Sequence, residues 1–419
     1  MKYCKRCLYP ANHPLGILFD KDGVCSGCRV HEEKDFLDWE ARLKKISDIL
    51  KNFKNRNGKN YDCIIPVSGA RDSYFIVHTI KKKFKLNPLL VTYNKQYNTE
   101  IGIRNLAYLK TIFDCDLLTL TVNPESVKKI IRVTLKERAS IYWHCIAGQT
   151  AFPTQIAVRL KIPLIIWGVH QGIDQVGMFS HEDEVEMTRK YRKDHDLMGL
   201  EAEDLLKLSS ELSEENVRPF IYPHDKEIER IGVRGIYLNN YIRWDSKKQH
   251  EEMINLYSYE TASQTRTFDT YNDVDCYNYS DVHDYIKFLK FGYGKATDHA
   301  CREIRLKRMS REEGVEIVKK FQEVKPRNLD LFLNWLGISE RGFYFLINRF
   351  RSSDIWEKDN HDRWFLKDSI INHDDDLGAD KVGLPKTNEP SSFEITKQKA
   401  KDKNKGYILI GRGFVDRSK

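Results

Sequence analysis

Between residues 62 and 168 the chain alternates short apolar runs with longer stretches whose apolar positions recur every three or four residues. Asp62–Val67, Pro88–Tyr93, Asp116–Val122 and Pro163–Gly168 are brief and aliphatic or β-branched, which reads as buried strands. Residues 72–84, 99–114, 124–139 and 144–161 carry helical amphipathic spacing. Strands alternating with helices predict an α/β fold around a doubly wound parallel sheet, whose ligands bind at the carboxyl ends of the strands. Ahead of it, Phe36, Leu37, Leu43, Ile46, Ile49 and Leu50 form a stripe that predicts one helix from Glu32 to about Lys54, broken by Asn55-Arg56-Asn57-Gly58. Beyond Gly168 come polar loops, a charged stretch from His181 to Asp196, and mainly helices from about 245 to 370. Helix starts are signalled by Asp245, by Ser280-Asp281, by Thr297-Asp298 and by the capping box Ser310-Arg311-Glu312-Glu313. The division this suggests is an N-terminal ribbon at 1–31, a linking helix at 32–60, an α/β domain at 61–240, a helical substrate or oligomerisation region at 241–372 and a polar tail at 373–419. In the tail, Asp374-Asp375-Asp376 and the Lys-rich 397–405 predict poor order, and Tyr407–Ile410 is an apolar run that could dock.

The sharpest chemistry sits between the first strand and its helix, at Val67-Ser68-Gly69-Ala70-Arg71-Asp72-Ser73. A strand turning through Ser-Gly into a helix gathers free N–H groups, the positive helix end and two hydroxyls, which together favour phosphate oxygens. Asp72 adds a carboxylate able to hold Mg²⁺ against them. No Gly-Lys-Ser/Thr closes the loop and no G-x-G-x-x-G is present, so neither a Walker nor a dinucleotide site is indicated. Thr92, Tyr93 and Asn94 after the second strand and Trp167 and Gly168 after the fourth fall at the same end of the sheet and are assigned to the nucleotide crevice.

Cys4-x2-Cys7 and Cys25-x2-Cys28 are spaced for a tetrahedral sulfur site, with a structural Zn²⁺ supplying the stability that about thirty residues cannot draw from a core. Two disulfides are the alternative. The other five cysteines are scattered and no signal peptide precedes Cys4, which fits a reducing, cytoplasmic setting. No apolar run approaches the roughly 20 residues that cross a bilayer. A formal charge of +8 over 419 residues admits anionic partners, nucleotide, acidic sugar or nucleic acid, without requiring any of them.

The loop at 68–73 resembles the S-G-G-x-D-S pyrophosphate loop of the ATP pyrophosphatases, departing from it at Ala70, where that pattern has glycine. A positive φ there would strain alanine. Taken with the ribbon, Trp143-His144-Cys145-Ile146, Ile165-Ile166-Trp167-Gly168, Ile242-Arg243-Trp244-Asp245, the segment Phe288 to Asp298, Glu303-Ile304-Arg305 and Ser310 to Glu313, residues 1–370 resemble the N-acetyl sugar amidotransferases. These are enzymes of lipopolysaccharide and flagellin-glycan biosynthesis, of the type used in pseudaminic or legionaminic acid and amidino-mannuronate pathways. The resemblance implies a HUP-type fold and conversion of a sugar acetamido group to acetamidino through an adenylated amide, with release of AMP and pyrophosphate. It further implies ATP, Mg²⁺ and Zn²⁺ as cofactors. Ser68, Asp72 and Ser73 become the catalytic candidates, and Val67, Gly69, Ala70 and Arg71 join them in binding the nucleotide.

For the sugar, acidic or nucleotide-linked, the candidates are Trp244, Asp245, Lys295, Thr297, Asp298 and Arg305, with helix caps, core or surface as the alternative role of each. No cysteine stands between glycines and Lys2 occupies the place after Met1, so the chain is expected to lack its own ammonia source; the resemblance implies a separate glutaminase and synthase pair as the supplier, or free ammonia. A homodimer is compatible with the helical region. Two other readings stay open. One is tRNA thiolation, which also joins a Cys₄ ribbon to this loop, although the remaining cysteines form no third C-x-x-C. The other is a degenerate scaffold disabled by Ala70.

Overall fold

The computed structural model describes residues 1–55 and 57–373. Its centre is a parallel sheet of β1 (Cys63–Pro66), β2 (Pro88–Tyr93), β3 (Leu117–Leu120), β4 (Leu164–Trp167) and β5 (Arg234–Tyr237), in the order β3-β2-β1-β4-β5. Cys63 to Pro66 register with Pro88 to Val91, and Ile64 with Ile165. β1, β2 and β4 need no polar alternation, because both their faces are covered, whereas the edge strand β3 is partly exposed, Leu118 and Thr119 facing solvent. Ile65, Leu90, Ile166 and Ile236 pack on one side with Tyr74, Phe75 and Met253. Ile64, Leu89, Val91 and Ile165 pack on the other with Phe152, Ile156 and Ala157 of the helix Trp143–Leu160. The chain builds outward from β1 to β3 in one direction and through β4 to β5 in the other, so the topological switch lies between β1 and β4.

The expected helices appear at Arg71–Val77, which continues as the π-helical His78–Lys83, and at Glu100–Ile112, Pro124–Arg138 and Trp143–Leu160. A larger cluster joins the helix Pro124–Arg138 to Tyr277–Phe291, Leu329–Leu336 and Glu340–Asn348, so the C-terminal helices are packed on the α/β core rather than hung from it. A short antiparallel pair, β6 (Trp356–Lys358) and β7 (Trp364–Leu366), follows them.

Four sequence expectations need correction. The single helix over 32–54 is two helices, Ser26–Glu33 and Trp39–Lys51, because Lys34 turns inward to Asp174 and Asp38 caps a new start by accepting from the Ala41 N–H; Phe36, expected in the stripe, is exposed. β5 was not foreseen, since Arg-Gly-Ile-Tyr has one aliphatic residue and becomes a strand by pairing with β4. Ser280-Asp281 and Thr297-Asp298 do not start helices: those begin at Tyr277 and Lys295 and contain both pairs. Finally, β3 is confined to Leu117–Leu120 of the expected 116–122. Asp245 and the Ser310–Glu313 capping box do start helices as expected. Asp374–Asp376, Lys397–Lys405 and Tyr407–Ile410 lie outside the described residues. Among the described residues no helix is long and apolar enough to cross a membrane.

Candidate active site and four-cysteine site

The Val67 N–H makes the last bond of the β1 ladder, to the Val91 carbonyl at 2.9 Å, and the chain then turns through Ser68-Gly69-Ala70 into the helix Arg71–Val77. Both serines brace the turn. Ser73 Oγ accepts from the Ser68 N–H at 2.9 Å, and Ser68 Oγ accepts from the Ala70 N–H at 3.2 Å. In the helix's first turn the Ser73 N–H donates to the Ala70 carbonyl at 3.3 Å, and the N–H groups ahead of it have no acceptor within their own helix. Asp72 stands there with about a third of its side chain exposed (32%) and Arg71 Nε 3.2 Å from its Oδ1. Burial raises the Asp72 carboxyl above the usual range; Arg71 opposes the rise and Asp174 adds to it.

Ala70 has φ −94° and ψ 167°, an extended conformation open to any L-residue. The departure from glycine therefore strains nothing in the backbone. Gly69 is the position that cannot change: a Cβ there would lie 2.1 Å from the Gly102 carbonyl oxygen, and a Cβ on Gly102 would lie 2.4 Å from Asp275 Cα. Adjacent substitutions should thus part company in urea denaturation. Ala70→Gly is expected to cost only about 0.5–1 kcal/mol, through the freedom of the unfolded chain, whereas Gly69→Ala should cost about 1–3 kcal/mol or more by forcing backbones apart.

A cleft of about 360 Å³ opens beside the loop. Ile103, Leu106 and Ala107 of the helix Glu100–Ile112 and Leu117 of β3 form an apolar wall; Ser68, Thr92, Asn94, Lys95, Asn98, Lys110 and Asp275 supply polar groups. Tyr93 contributes to the lining while its ring turns inward against Gly148 and its hydroxyl pairs with His144 Nδ1 at 2.8 Å. Trp167 and Gly168 lie across β1 from this cleft. The Trp167 ring packs beside Tyr237, and Gly168 admits Ile76 and Trp244 so closely that a Cβ would be 2.9 Å from the Ile76 side chain.

Residues 264–276 close the site from the C-terminal region, and the sequence reading missed them. Asn272 Oδ1 accepts from Arg71 Nη1. Lys95 Nζ, buried, lies 2.7 Å from Asp275 Oδ2 and 3.3 Å from Cys276 Sγ. Asp269 Oδ1 accepts from the Tyr271 and Asn272 N–H groups, and Arg302 Nη2 lies 2.8 Å from its Oδ2. Burial alone would raise the Asp269 carboxyl; His299, Arg302 and the Asn272 N–H overcome it and hold it well below the usual range. The one available signal was the dense run Asp269-Thr270-Tyr271-Asn272-Asp273-Val274-Asp275, which reads as an ordinary polar loop until Arg71 and Lys95 are seen against it.

The six sugar candidates are not gathered in one place. Trp244 is buried edge-on to Phe75 beneath the loop's helix. Asp245 caps the helix Ser246–Tyr257 and takes two bonds from Arg308 Nη1, at 2.9 and 2.7 Å. Lys295 Nζ is buried against Asp281 Oδ1 at 2.5 Å, Gln264 Oε1 at 2.8 Å and Asp273 Oδ2 at 3.5 Å, beside the loop that carries Asn272. Thr297 is buried in the first turn of the same helix. Asp298 pairs with Lys287 and accepts from Tyr9 and Gln175. Arg305 faces the cysteines, with Nη2 3.5 Å from Cys25 Sγ.

Cys4, Cys7, Cys25 and Cys28 are buried and unbridged, with all four sulfurs within 4.8 Å of one another, so the disulfide alternative is not realised. Cys7 and Cys25 sulfurs are 3.6 Å apart and those of Cys4 and Cys28 4.0 Å. A tetrahedral ion with bonds of about 2.3 Å sets its sulfurs about 3.8 Å apart, so the donor set fits one zinc ion; a cubane iron–sulfur cluster, with irons and sulfides at alternate corners and one thiolate on each iron, holds its thiolates farther apart. Cys4 Sγ also accepts from the N–H groups of Arg6, Cys7 and Cys25, bonds that orient a thiolate ligand. Plasma emission on the purified chain is expected to find about one zinc per chain and no iron; iron with visible absorption would overturn that assignment.

Residues 265–369 match the family model described as LPS biosynthesis protein WbpG-like, C-terminal domain. An uncharacterized protein of Methanocaldococcus jannaschii, MJ1599, is 31% identical over 117 residues, 28% of this chain and 42% of that protein, so the match spans under half of the curated relative's length. Among solved structures, the chain is similar to the NH3-dependent NAD synthetase of Campylobacter jejuni (14% identity, TM-score 0.26, 34% of this chain and 62% of that one). It is also similar to NMN synthetase of Francisella tularensis (10%, 0.27, covering 52% and 95%) and to the U34-tRNA thiolase NcsA of Methanococcus maripaludis, solved with its [4Fe-4S] cluster (12%, 0.24, covering 73% and 87%). TM-scores of this size leave the fold to be defined by its own strand order.

Proposed function

We propose that the protein is an ATP-dependent enzyme that adenylates the amide oxygen of an acetamido sugar and lets ammonia displace AMP, giving an acetamidino sugar for a bacterial surface glycan. One observation carries the reading: the Ser68–Ser73 loop ends β1 beside the switch point, and the segment that matches a lipopolysaccharide-biosynthesis family reaches over it through Asn272 to Arg71 and Asp275 to Lys95.

The parts have distinct tasks in this reading. The cleft's apolar wall suits a flat base, while Lys95, Lys110, Asn94 and Asn98 suit ribose and phosphate oxygens. Asp72, partly exposed at a helix start, would hold Mg²⁺ against the phosphates, and Arg71 would offset the charge that builds on them. The sugar would lie between the loop and residues 264–276, near Asp273 and Lys295, because the amide must reach the α-phosphorus from the side opposite the leaving pyrophosphate. The amide oxygen attacks phosphorus and the α–β bridging bond breaks. Ammonia then adds to the imidate carbon, loses a proton, and the carbon–oxygen bond to AMP breaks. A separate glutaminase would supply the ammonia.

The test is pyrophosphate release from ATP, Mg²⁺ and ammonium with a panel of diacetamido sugars, the sugar being followed by mass for replacement of oxygen by NH. Sugar-dependent release with that mass change supports the reading. Release driven instead by tRNA, or none with any acceptor, overturns it.

A further inference from the structure

The four-cysteine site is joined by a line of contacts to the segment that follows β4. The helix Ser26–Glu33 lies along the segment that follows β4 and the short helix Gln171–Asp174. Ser26 Oγ donates to the Val176 carbonyl at 2.6 Å. A Cβ on Gly27 would lie 2.4 Å from the Gln175 carbonyl oxygen, and one on Gly177 would lie 2.3 Å from the Ser26 carbonyl oxygen, so neither backbone can shift alone. Lys34 Nζ reaches Asp174 Oδ1 at 2.5 Å.

Arg305 stands at the centre of this line. Its Nη1 donates to the Asp174 carbonyl at 3.1 Å and the Gln175 carbonyl at 2.7 Å. Its Nη2 lies 3.5 Å from Cys25 Sγ and 3.9 Å from Cys7 Sγ, and the guanidinium sits 5.2 Å from the centre of the Tyr9 ring. A planar fork of donors can serve two carbonyls and two sulfurs at once, which an ammonium cannot. Four thiolates around a divalent ion carry a net charge of −2, and a guanidinium buried beside them is balanced by it. Loss of the ion removes the constraint that holds the four sulfurs in place against the guanidinium.

We propose that Arg305 is a positioning residue that couples metal occupancy of the four-cysteine site to the conformation of residues 171–177 at the carboxyl end of β4. The relevance of that segment to nucleotide rests on the function proposed above; the coupling itself does not.

Hydrogen exchange of the full chain tests it. Chelation of the metal is expected to raise exchange of amides 171–177 about tenfold. Arg305→Met and Arg305→Lys are each expected to do the same while the chain still holds its metal, and chelation should then add little. Unchanged exchange at 171–177 on chelation, or in Arg305→Lys, would overturn the proposal; the Lys variant keeps the charge and serves if the Met variant does not fold. Titration with MgATP forms a separate arm. Weaker binding in parallel with exchange supports the coupling, whereas a wild-type chain that binds no ATP overturns the nucleotide reading and leaves exchange to judge the coupling.

Discussion

Asp72→Asn is expected to lower sugar-dependent pyrophosphate release by about 100- to 1,000-fold while leaving the fold intact. The substitution keeps shape and removes only charge. Since burial already disfavours the ionised carboxyl, the neutral amide should not destabilise the helix start, and the urea midpoint should stay level or rise slightly. The loss should fall mainly on kcat, because negative charge spreads over three phosphates during transfer and an ion held by Asp72 is most needed then. Steady-state kinetics at several Mg²⁺ concentrations checks this. A rate equal to wild type at all of them would remove Asp72 from the mechanism.

Lys95→Met should produce the largest loss of stability, about 3–5 kcal/mol, because it leaves Asp275 buried without its cation. Both members of this pair are less than a tenth exposed, and Asp275 also packs on Gly102, which packs on Gly69. The disturbance therefore reaches the Ser68–Ser73 loop through backbone contacts as well as charge. Pairing the change with Asp275→Leu is expected to restore most of the stability, since a buried ion pair gains little net energy over apolar partners. It should not restore ATP binding, because Lys95 lines the cleft. Urea denaturation of the two single variants and the double variant, with an ATP titration of the double, separates these effects. A Lys95→Met variant as stable as wild type would mean that Asp275 does not depend on Lys95 for its place in the core.

How legible the protein was can be judged residue by residue. β1, β2 and β4, their helices and the Ser68–Ser73 turn follow from local pattern, because an aliphatic run buried on both faces and a Ser-Gly turn each have few alternatives. Ala70 could not be judged from sequence, as its cost depends on a backbone angle that only the folded chain fixes at −94°. Ser280, Asp281, Thr297 and Asp298 looked like caps because the signal for a helix start is short and polar; their side chains are drawn instead into packing and ion pairs with distant partners such as Lys295 and Lys287. Arg305 was placed with a sugar by its residue type, and the fold sets it against Cys25 and Cys7, more than 270 positions away.

By itself, then, the sequence determined what is governed by spacing: the alternation that makes a parallel α/β sheet, the loop at the end of β1, and two C-x2-C pairs able to meet around one ion. Tertiary structure alone decided β5, the reach of residues 264–276 to Arg71 and Lys95, and the bond of Arg305 to both the cysteines and the segment after β4. The physical reason is that strand, turn and C-x2-C signals are written in neighbouring residues. An edge strand, a buried ion pair or a bridging arginine acquires its meaning only from the partner that burial places beside it.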